Sequence, residues 1–168
     1  LRVRDRLGVV VGGGEVASRK VELLCRAGAR VRVVSPALAP TLARLAADGV
    51  IQHVARAFED GDTAGAALVV AGTSDPATNR RVAAEAKAAN LPVNVVDDPD
   101  EGTFIVPSVI DRSPVVVAVS SGGASPVLAR LIRARLESVI PAAYGRLGEL
   151  TARYRDRVKA AFADPADR

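Results

Sequence analysis

The chain has one cysteine (Cys25), one histidine (His53), no tryptophan and no methionine in 168 residues. A lone cysteine excludes an intrachain disulfide framework, and with a lone histidine it excludes a His/Cys metal cluster within one chain. No permanent metal site is therefore expected, and a reducing, cytoplasmic compartment is. Aromatic residues are only 3% of the chain, so the core must be built from Val, Leu, Ile and Ala. No apolar run reaches membrane-spanning length, and no secretory leader pattern precedes the first predicted strand. A membrane partner is not expected. The sequence opens on Leu1 and holds no methionine, so it is read as a piece of a longer chain.

What is present fits a globular protein: 49% hydrophobic and 25% charged residues, with length for one full domain and a small appendage. The net charge is +4. From Ala129 onward nine basic residues face five acids, so the whole surplus lies in the C-terminal quarter. That surplus reads as a solvated helical face, a surface for a polyanionic ligand, or one for nucleic acid. Nucleic acid ranks last, because the basic helices lack interleaved aromatics.

The chain is organised around Val9-Val10-Val11-Gly12-Gly13-Gly14-Glu15-Val16-Ala17. This reads as a buried strand, a glycine turn and the start of a helix, with G-x-G-x-x-A spacing from Gly12 to Ala17. Gly12 allows the turn, Gly14 lets backbone amides approach a pyrophosphate, and Ala17 lets helix and strand pack closely. Glu15 and Val16 supply further amides at the helix N-terminus. A strand over 7–11, a helix over 15–27 ended by Gly28, and a strand over 31–35 make a βαβ unit. In a standard dinucleotide fold an acid closes the second strand and holds the ribose. Here the strand ends Val34-Ser35-Pro36, so Ser35 or backbone groups at Pro36 and Ala37 must serve, and NAD versus NADP stays open.

Further on, the pattern predicts a helix over 41–47 and strands over 50–54 and 66–71. Thr73 and Ser74 follow as candidates for the cofactor edge or for helix capping. A helix over about 77–89 and a strand over 92–96 complete the alternation. Strands over 104–110 and 114–119, joined by Asp111-Arg112-Ser113, leave no room for a crossover helix and must be antiparallel. Ser125 is the expected N-cap, and Pro126 the first residue, of a helix whose apolar face carries Leu128, Leu131, Ile132, Leu136, Val139 and Ile140. Pro141 breaks it, and a last helix carries Tyr144, Leu147, Leu150, Tyr154, Val158 and Phe162. The fold class is α/β: a Rossmann-type parallel sheet, then a small antiparallel pair and C-terminal helices. The expected divisions are 1–103, 104–126 and 127–168. With little core of its own, the last part should dock on the first domain or on another copy, so a homodimer is expected. Asp97, in the turn Asp97-Asp98-Pro99 after a strand, reads equally as a catalytic carboxylate or as a turn residue.

These motifs converge on one resemblance. Val11–Ala17, Arg19-Lys20, Ala27-Gly28-Ala29, Asn79-Arg80-Arg81-Val82 and Asn94-Val95-Val96-Asp97 are joined by two rarer runs. These are Phe104-Ile105-Val106-Pro107-Ser108 with Ile110–Pro114, and Val117–Arg130, which contains Ser120-Ser121-Gly122-Gly123-Ala124-Ser125-Pro126. Over almost its whole length the chain resembles the N-terminal module of siroheme synthases, the precorrin-2 dehydrogenase/sirohydrochlorin ferrochelatase family. The resemblance implies NAD-dependent oxidation of precorrin-2 to sirohydrochlorin. In bifunctional members Fe²⁺ insertion as a second substrate then gives siroheme. It implies a homodimer and, in some members, fusion to a downstream uroporphyrinogen methyltransferase. It makes Asp97 the catalytic carboxylate and, if chelation occurs, a transient metal contact. Asn94, Ser120 and Ser121 become candidates for binding the tetrapyrrole, whose carboxylate arms suit the basic C-terminal quarter. The alternatives are a dehydrogenase of another substrate and a non-catalytic NAD sensor. The first would need its own donor set, which one histidine and two tyrosines poorly supply.

Overall fold

In the computed structural model residues 1–162 are described; Asp164, Asp167 and Arg168, counted above with the C-terminal charges, lie outside the described residues. Strands and helices alternate through β1 (Leu7–Val11), α1 (Glu15–Arg26), β2 (Arg30–Val34), α2 (Pro40–Ala47), β3 (Ile51–Val54), β4 (Leu68–Ala71), α3 (Pro76–Ala88) and β5 (Val93–Val95). There follow β6 (Ser108–Arg112), β7 (Val115–Val119), α4 (Pro126–Val139) and α5 (Ala143–Ala161). The chain divides into two compact units, residues 1–105 and residues 106 onward.

The first unit is a parallel five-stranded sheet in the order β3-β2-β1-β4-β5. β1 is central, with Val9 opposite Arg32 of β2 and Val69 of β4. Successive strand residues point to opposite faces, and both faces are covered. Val9, Val11, Val69, Ala71, Val93 and Val95 join Val82, Ala83 and Ala86 of α3 in one cluster. Val10, Val31, Val33, Leu68 and Val70 join Ala17, Val21 and Leu24 of α1 and Leu42 of α2 in the other. Two covered faces explain why Val9–Val11 of β1 and Leu68–Ala71 of β4, at the centre of the sheet, are unbroken apolar runs, whereas β2 (Arg30–Val34) keeps two arginines. Each buried Val or Leu contributes about 1.5–3 kcal/mol relative to exposure. Cys25 packs at the edge of the second cluster, where burial first, then Glu22, pushes its thiol pKa up.

The sequence assigned no element to residues 55–65, and the structure shows an ordered non-helical connector there. Arg56 donates both guanidinium nitrogens to the Asp62 carboxylate, at 2.7 Å each. Glu85 of α3 accepts from Gly61 N at 2.9 Å, from Thr63 N at 3.1 Å and from the Thr63 hydroxyl. Thr63 is 2% exposed. A buried loop must satisfy its polar groups, and here side chains do so in place of a helix.

Two expected strands are corrected. The fourth begins at Leu68 and not at residue 66, since Ala66 N bonds back to Thr63 O as the connector's last turn. The first strand of the antiparallel pair spans Ser108–Arg112 and not 104–110. Thr103 N donates instead to Val93 O at 2.7 Å, fastening 103–104 to β5, and Pro107 has no N–H for a ladder.

In the second unit β6 and β7 pair antiparallel from Ser108↔Val119 to Arg112↔Val115. α4 packs on both strands, and Ile110 of β6 (1% exposed) and Ala129 of α4 (6% exposed) are buried. Ser125 caps α4, its hydroxyl accepting from Leu128 N at 3.2 Å. Arg112 ties the hairpin to the far end of α4 through Ile140 O (3.1 Å) and Glu137 (3.4 Å). Leu128, Leu131, Ile132 and Val139 of α4 and Tyr144, Leu147, Leu150, Tyr154 and Val158 of α5 remain exposed, as does Phe162 just beyond it.

Candidate functional site

The site is built where the strand order reverses, at the C-terminal ends of β1, β2 and β4. The three glycines after β1 do different work. Gly12 (φ 122°) lies so close to the β4–α3 loop that a Cβ would sit 2.3 Å from Gly72 O. A Cβ on Gly13 would meet Ala37 O at 2.0 Å and Ser35 Oγ at 2.6 Å. Gly14 opposes no atom within 4 Å. It is the N-cap of α1 and has no side chain with which to cap it. The helix therefore opens with bare backbone N–H groups facing open space, an arrangement suited to a pyrophosphate.

That space is a cavity of about 790 Å³ lined by Val11–Glu15, Val34–Ala39, Ala57, Phe58, Thr73–Asp75, Thr78 and Arg81. It gathers Gly12, Gly14, Glu15, Ser35, Pro36, Ala37 and Thr73. Val16 is not among the lining residues; its side chain is 44% exposed on the first turn of α1. Ser35 is 8% exposed and donates its hydroxyl to Ala37 O at 2.8 Å. His53 Nε2 lies 2.9 Å from Ser35 O. Ser35 thus shapes the β2–α2 loop, and its hydroxyl proton is spent within the protein. Thr73 is held by Asn79 of α3: Thr73 N donates to Asn79 Oδ1 at 3.0 Å, and Asn79 Nδ2 returns a bond to Thr73 O at 3.1 Å. Asp75, not Thr73 or Ser74, caps α3, accepting from Ala77 N, Thr78 N and the Thr78 hydroxyl. The Thr78 hydroxyl, then the two amides, hold the Asp75 carboxyl below the usual carboxylate range.

Asp97 does not line the cavity. It lies just past β5 at the same C-terminal edge of the sheet, exposed and at φ 60°. This left-handed conformation is uncommon for a residue with a side chain, and such strain gathers at functional sites. Its carboxylate accepts no hydrogen bond among the described residues. Lys20, on the exposed-to-buried margin of α1, is its electrostatic neighbour. Burial lowers the Lys20 pKa, and the Asp97 charge opposes that shift. Asn94 is 4% exposed, and its amide donates to Phe104 O at 3.1 Å while Oδ1 has no hydrogen-bond partner among the described residues. It pins the chain leaving β5 against the sheet.

Ser120 and Ser121 belong to the other unit. Their hydroxyl oxygens accept from Gly122 N (3.1 Å) and Ser125 N (2.9 Å), so both stiffen the glycine loop before α4. No group of three or more His, Cys, Asp or Glu side chains placed to hold a metal occurs among the described residues.

Sequence reasoning placed Gly13, Asn79, Arg81 and Lys20 in the runs that carry the resemblance but gave them no role, and it passed over Phe58. For Asp75 a signal existed in the Asp-Pro step that opens α3. Nothing in the sequence pairs Phe58 with Arg81, which lie 23 positions apart on a loop and a helix.

Fold and cradle together define a dinucleotide-binding module of the Rossmann class. Family models agree: residues 1–108 match "Putative NAD(P)-binding", 112–138 the sirohaem biosynthesis protein central segment, and 143–168 the sirohaem synthase dimerisation region. The chain belongs to the siroheme synthase family. It is 58% identical over 163 residues to the siroheme synthase of Methylobacillus flagellatus, covering 97% of this chain and 35% of that protein. To the siroheme synthase of Nitrosomonas europaea it is 53% identical over 169 residues, covering 100% and 36%. The chain thus spans about a third of the length of the curated relatives it matches. Among solved structures, SirC, a precorrin-2 dehydrogenase, superposes with a TM-score of 0.79 at 26% identity, over 94% of this chain and 78% of that one.

Proposed function

We propose that the chain catalyses the NAD-dependent oxidation of precorrin-2 to sirohydrochlorin in siroheme biosynthesis. The observation that carries this is the uncapped, sterically open start of α1 at Gly14, set in a chain related over its full length to a siroheme synthase and over 94% of it to SirC. The cradle fits the cofactor: amides at the start of α1 hold the pyrophosphate, and the β2–α2 loop at Ser35–Ala37 receives the ribose. Because the Ser35 hydroxyl is engaged, ribose contacts fall to backbone groups at Pro36 and Ala37. Bound NAD supplies a hydride acceptor.

Oxidising the reduced tetrapyrrole removes a hydride and a proton, and Asp97 accepts the proton. Its exposed carboxylate, free of hydrogen bonds among the described residues, is available for that transfer. Lys20 of α1 supplies a positive charge beside Asp97. Asn94 acts by holding the β5 exit that presents Asp97, and Ser120 and Ser121 offer hydroxyl donors to carboxylate arms of the substrate. The same carboxylate can take pyrrole protons as Fe²⁺ enters, which extends the reading to ferrochelation. The active form is a homodimer assembled through the apolar faces of α4 and α5. It works in the cytoplasm, as part of a longer protein that can carry a uroporphyrinogen methyltransferase. The expected divisions at 103 and 126 are kept as domain boundaries.

The test is an anaerobic assay with precorrin-2 and NAD⁺ followed by NADH absorbance, with Fe²⁺ added afterwards. NADH is expected. Asp97→Ala should lower turnover roughly 10²–10⁴-fold, as for loss of a general base, with NAD⁺ affinity close to wild type. Binding of NAD⁺ with no turnover in either form would favour the sensor instead. NADH without metal insertion would restrict the activity to the dehydrogenase.

A further inference from the structure

The far wall of the cofactor cavity has a feature that the pyrophosphate cradle and Asp97 do not use. Arg81 of α3 lines the cavity together with Phe58, from the β3–β4 connector, and Thr78, one turn earlier on the helix. The Arg81 guanidinium carbon lies 5.5 Å from the centroid of the Phe58 ring. Phe58 is itself 6% exposed and packed into the α3-side core cluster. Arg81 Nη2 also pairs with Asp60 at 2.8 Å. The guanidinium is thus steadied by a ring on one side and a carboxylate at its edge, while the side chain stays 55% exposed.

The direction in which the cavity runs gives this wall a meaning. The pyrophosphate belongs at Gly14 and the adenosine ribose at the end of β2, beside Ser35–Ala37. The lining that continues past the ribose, at 57–58 and at 78 and 81, therefore meets the base. A guanidinium is planar and weakly hydrated, and it stacks on flat π-systems. The Asp60 pairing offsets its charge, which leaves a flat polar-edged plate on a buried aromatic support.

We propose that Arg81, backed by Phe58 and steadied by Asp60, is the shelf on which the adenine ring of the dinucleotide stacks. This rests on the NAD-binding reading above and adds the residue that holds the base. Because stacking needs a plane and not just a positive charge, lysine cannot replace arginine here. With no acid at the end of β2, the base shelf takes over part of the work of fixing the adenosine half.

The experiment is calorimetric titration of NAD⁺ and of AMP into the wild-type chain, Arg81→Ala and Arg81→Lys, with thermal melts to show that each is folded. Arg81→Lys retains a cation for Asp60 and serves as the variant least disturbing to the fold. Both substitutions should raise the Kd for NAD⁺ about tenfold, in keeping with the loss of one base-stacking contact. AMP should weaken by the same factor, since it shares the base. Wild-type affinity in Arg81→Lys would overturn the shelf, because charge alone would then suffice. So would a loss confined to NAD⁺ and absent for AMP. A wild-type chain that binds neither ligand would defeat the NAD reading itself, whereas binding by wild type with no effect of either substitution would defeat only the shelf.

Discussion

At the scale of single residues, the three adjacent glycines answer to three different constraints. Gly13→Ala drives a methyl into Ala37 O and Ser35 Oγ, and overpacking of this kind costs about 1–3 kcal/mol. Both the melting temperature and NAD⁺ affinity should fall. Gly14→Ala meets no protein atom, so thermal melts should match wild type while titration shows weaker NAD⁺ binding, the methyl occupying cofactor space. If Gly14→Ala bound NAD⁺ normally, the anion would not sit at this turn. Lys20 gives a second test. Burial lowers its folded pKa below 10.5, with Asp97 partly opposing. Between that lowered value and 10.5 the unfolded chain binds more protons, so stability rises with pH across the window. Lys20→Met should abolish that rise in urea unfolding measured from neutral to alkaline pH, and should be the more stable protein at neutral pH.

At the scale of elements, the β3–β4 connector replaces a helix with ion pairs and side-chain bonds, and so becomes sensitive to acid. The Arg56 hydrogen bond, assisted by Glu59 N and the neighbouring positive charges, lowers the Asp62 pKa below 3.8. Its stabilising contribution is complete above pH 3.8 and disappears as pH falls through the lower folded value. Asp62→Asn should therefore be less stable at neutral pH and lose less of its remaining stability on acidification, read by thermal melts across the acid range. The helices obey more local rules. Pro126 with Ser125 before it announced the start of α4, and Gly28 (φ 78°) the end of α1. Deleting the Ser125 cap as Ser125→Ala should cost about 1 kcal/mol in the second unit, the usual value for an N-cap.

At the scale of the whole molecule, the second unit leaves a long apolar stripe uncovered. Leu131 is 62% and Leu147 52% exposed, far beyond scattered surface residues. On the homodimer reading, Leu131→Glu with Leu147→Glu should convert dimer to monomer in light scattering after size-exclusion chromatography. A monomeric wild type would refute that reading. Among the described residues no helix is long and apolar enough to cross a membrane.

Order along the chain was enough for the parallel sheet, because Val-rich runs, glycine stops and proline starts are local features with local causes. The glycine turn, the absence of an acid after β2 and the antiparallel pair after it were legible for the same reason. What required the tertiary structure was every pairing between distant positions. Glu85 satisfies a loop more than 20 residues away, Asn79 grips Thr73, Lys20 comes near Asp97, and Arg81 lies over Phe58. Packing also decided which glycine is crowded and which is open: Gly13 and Gly14 are neighbours in sequence, but only the first lies against Ala37. A sequence pattern marks where the backbone can turn, whereas contact with remote side chains determines what the turn can hold.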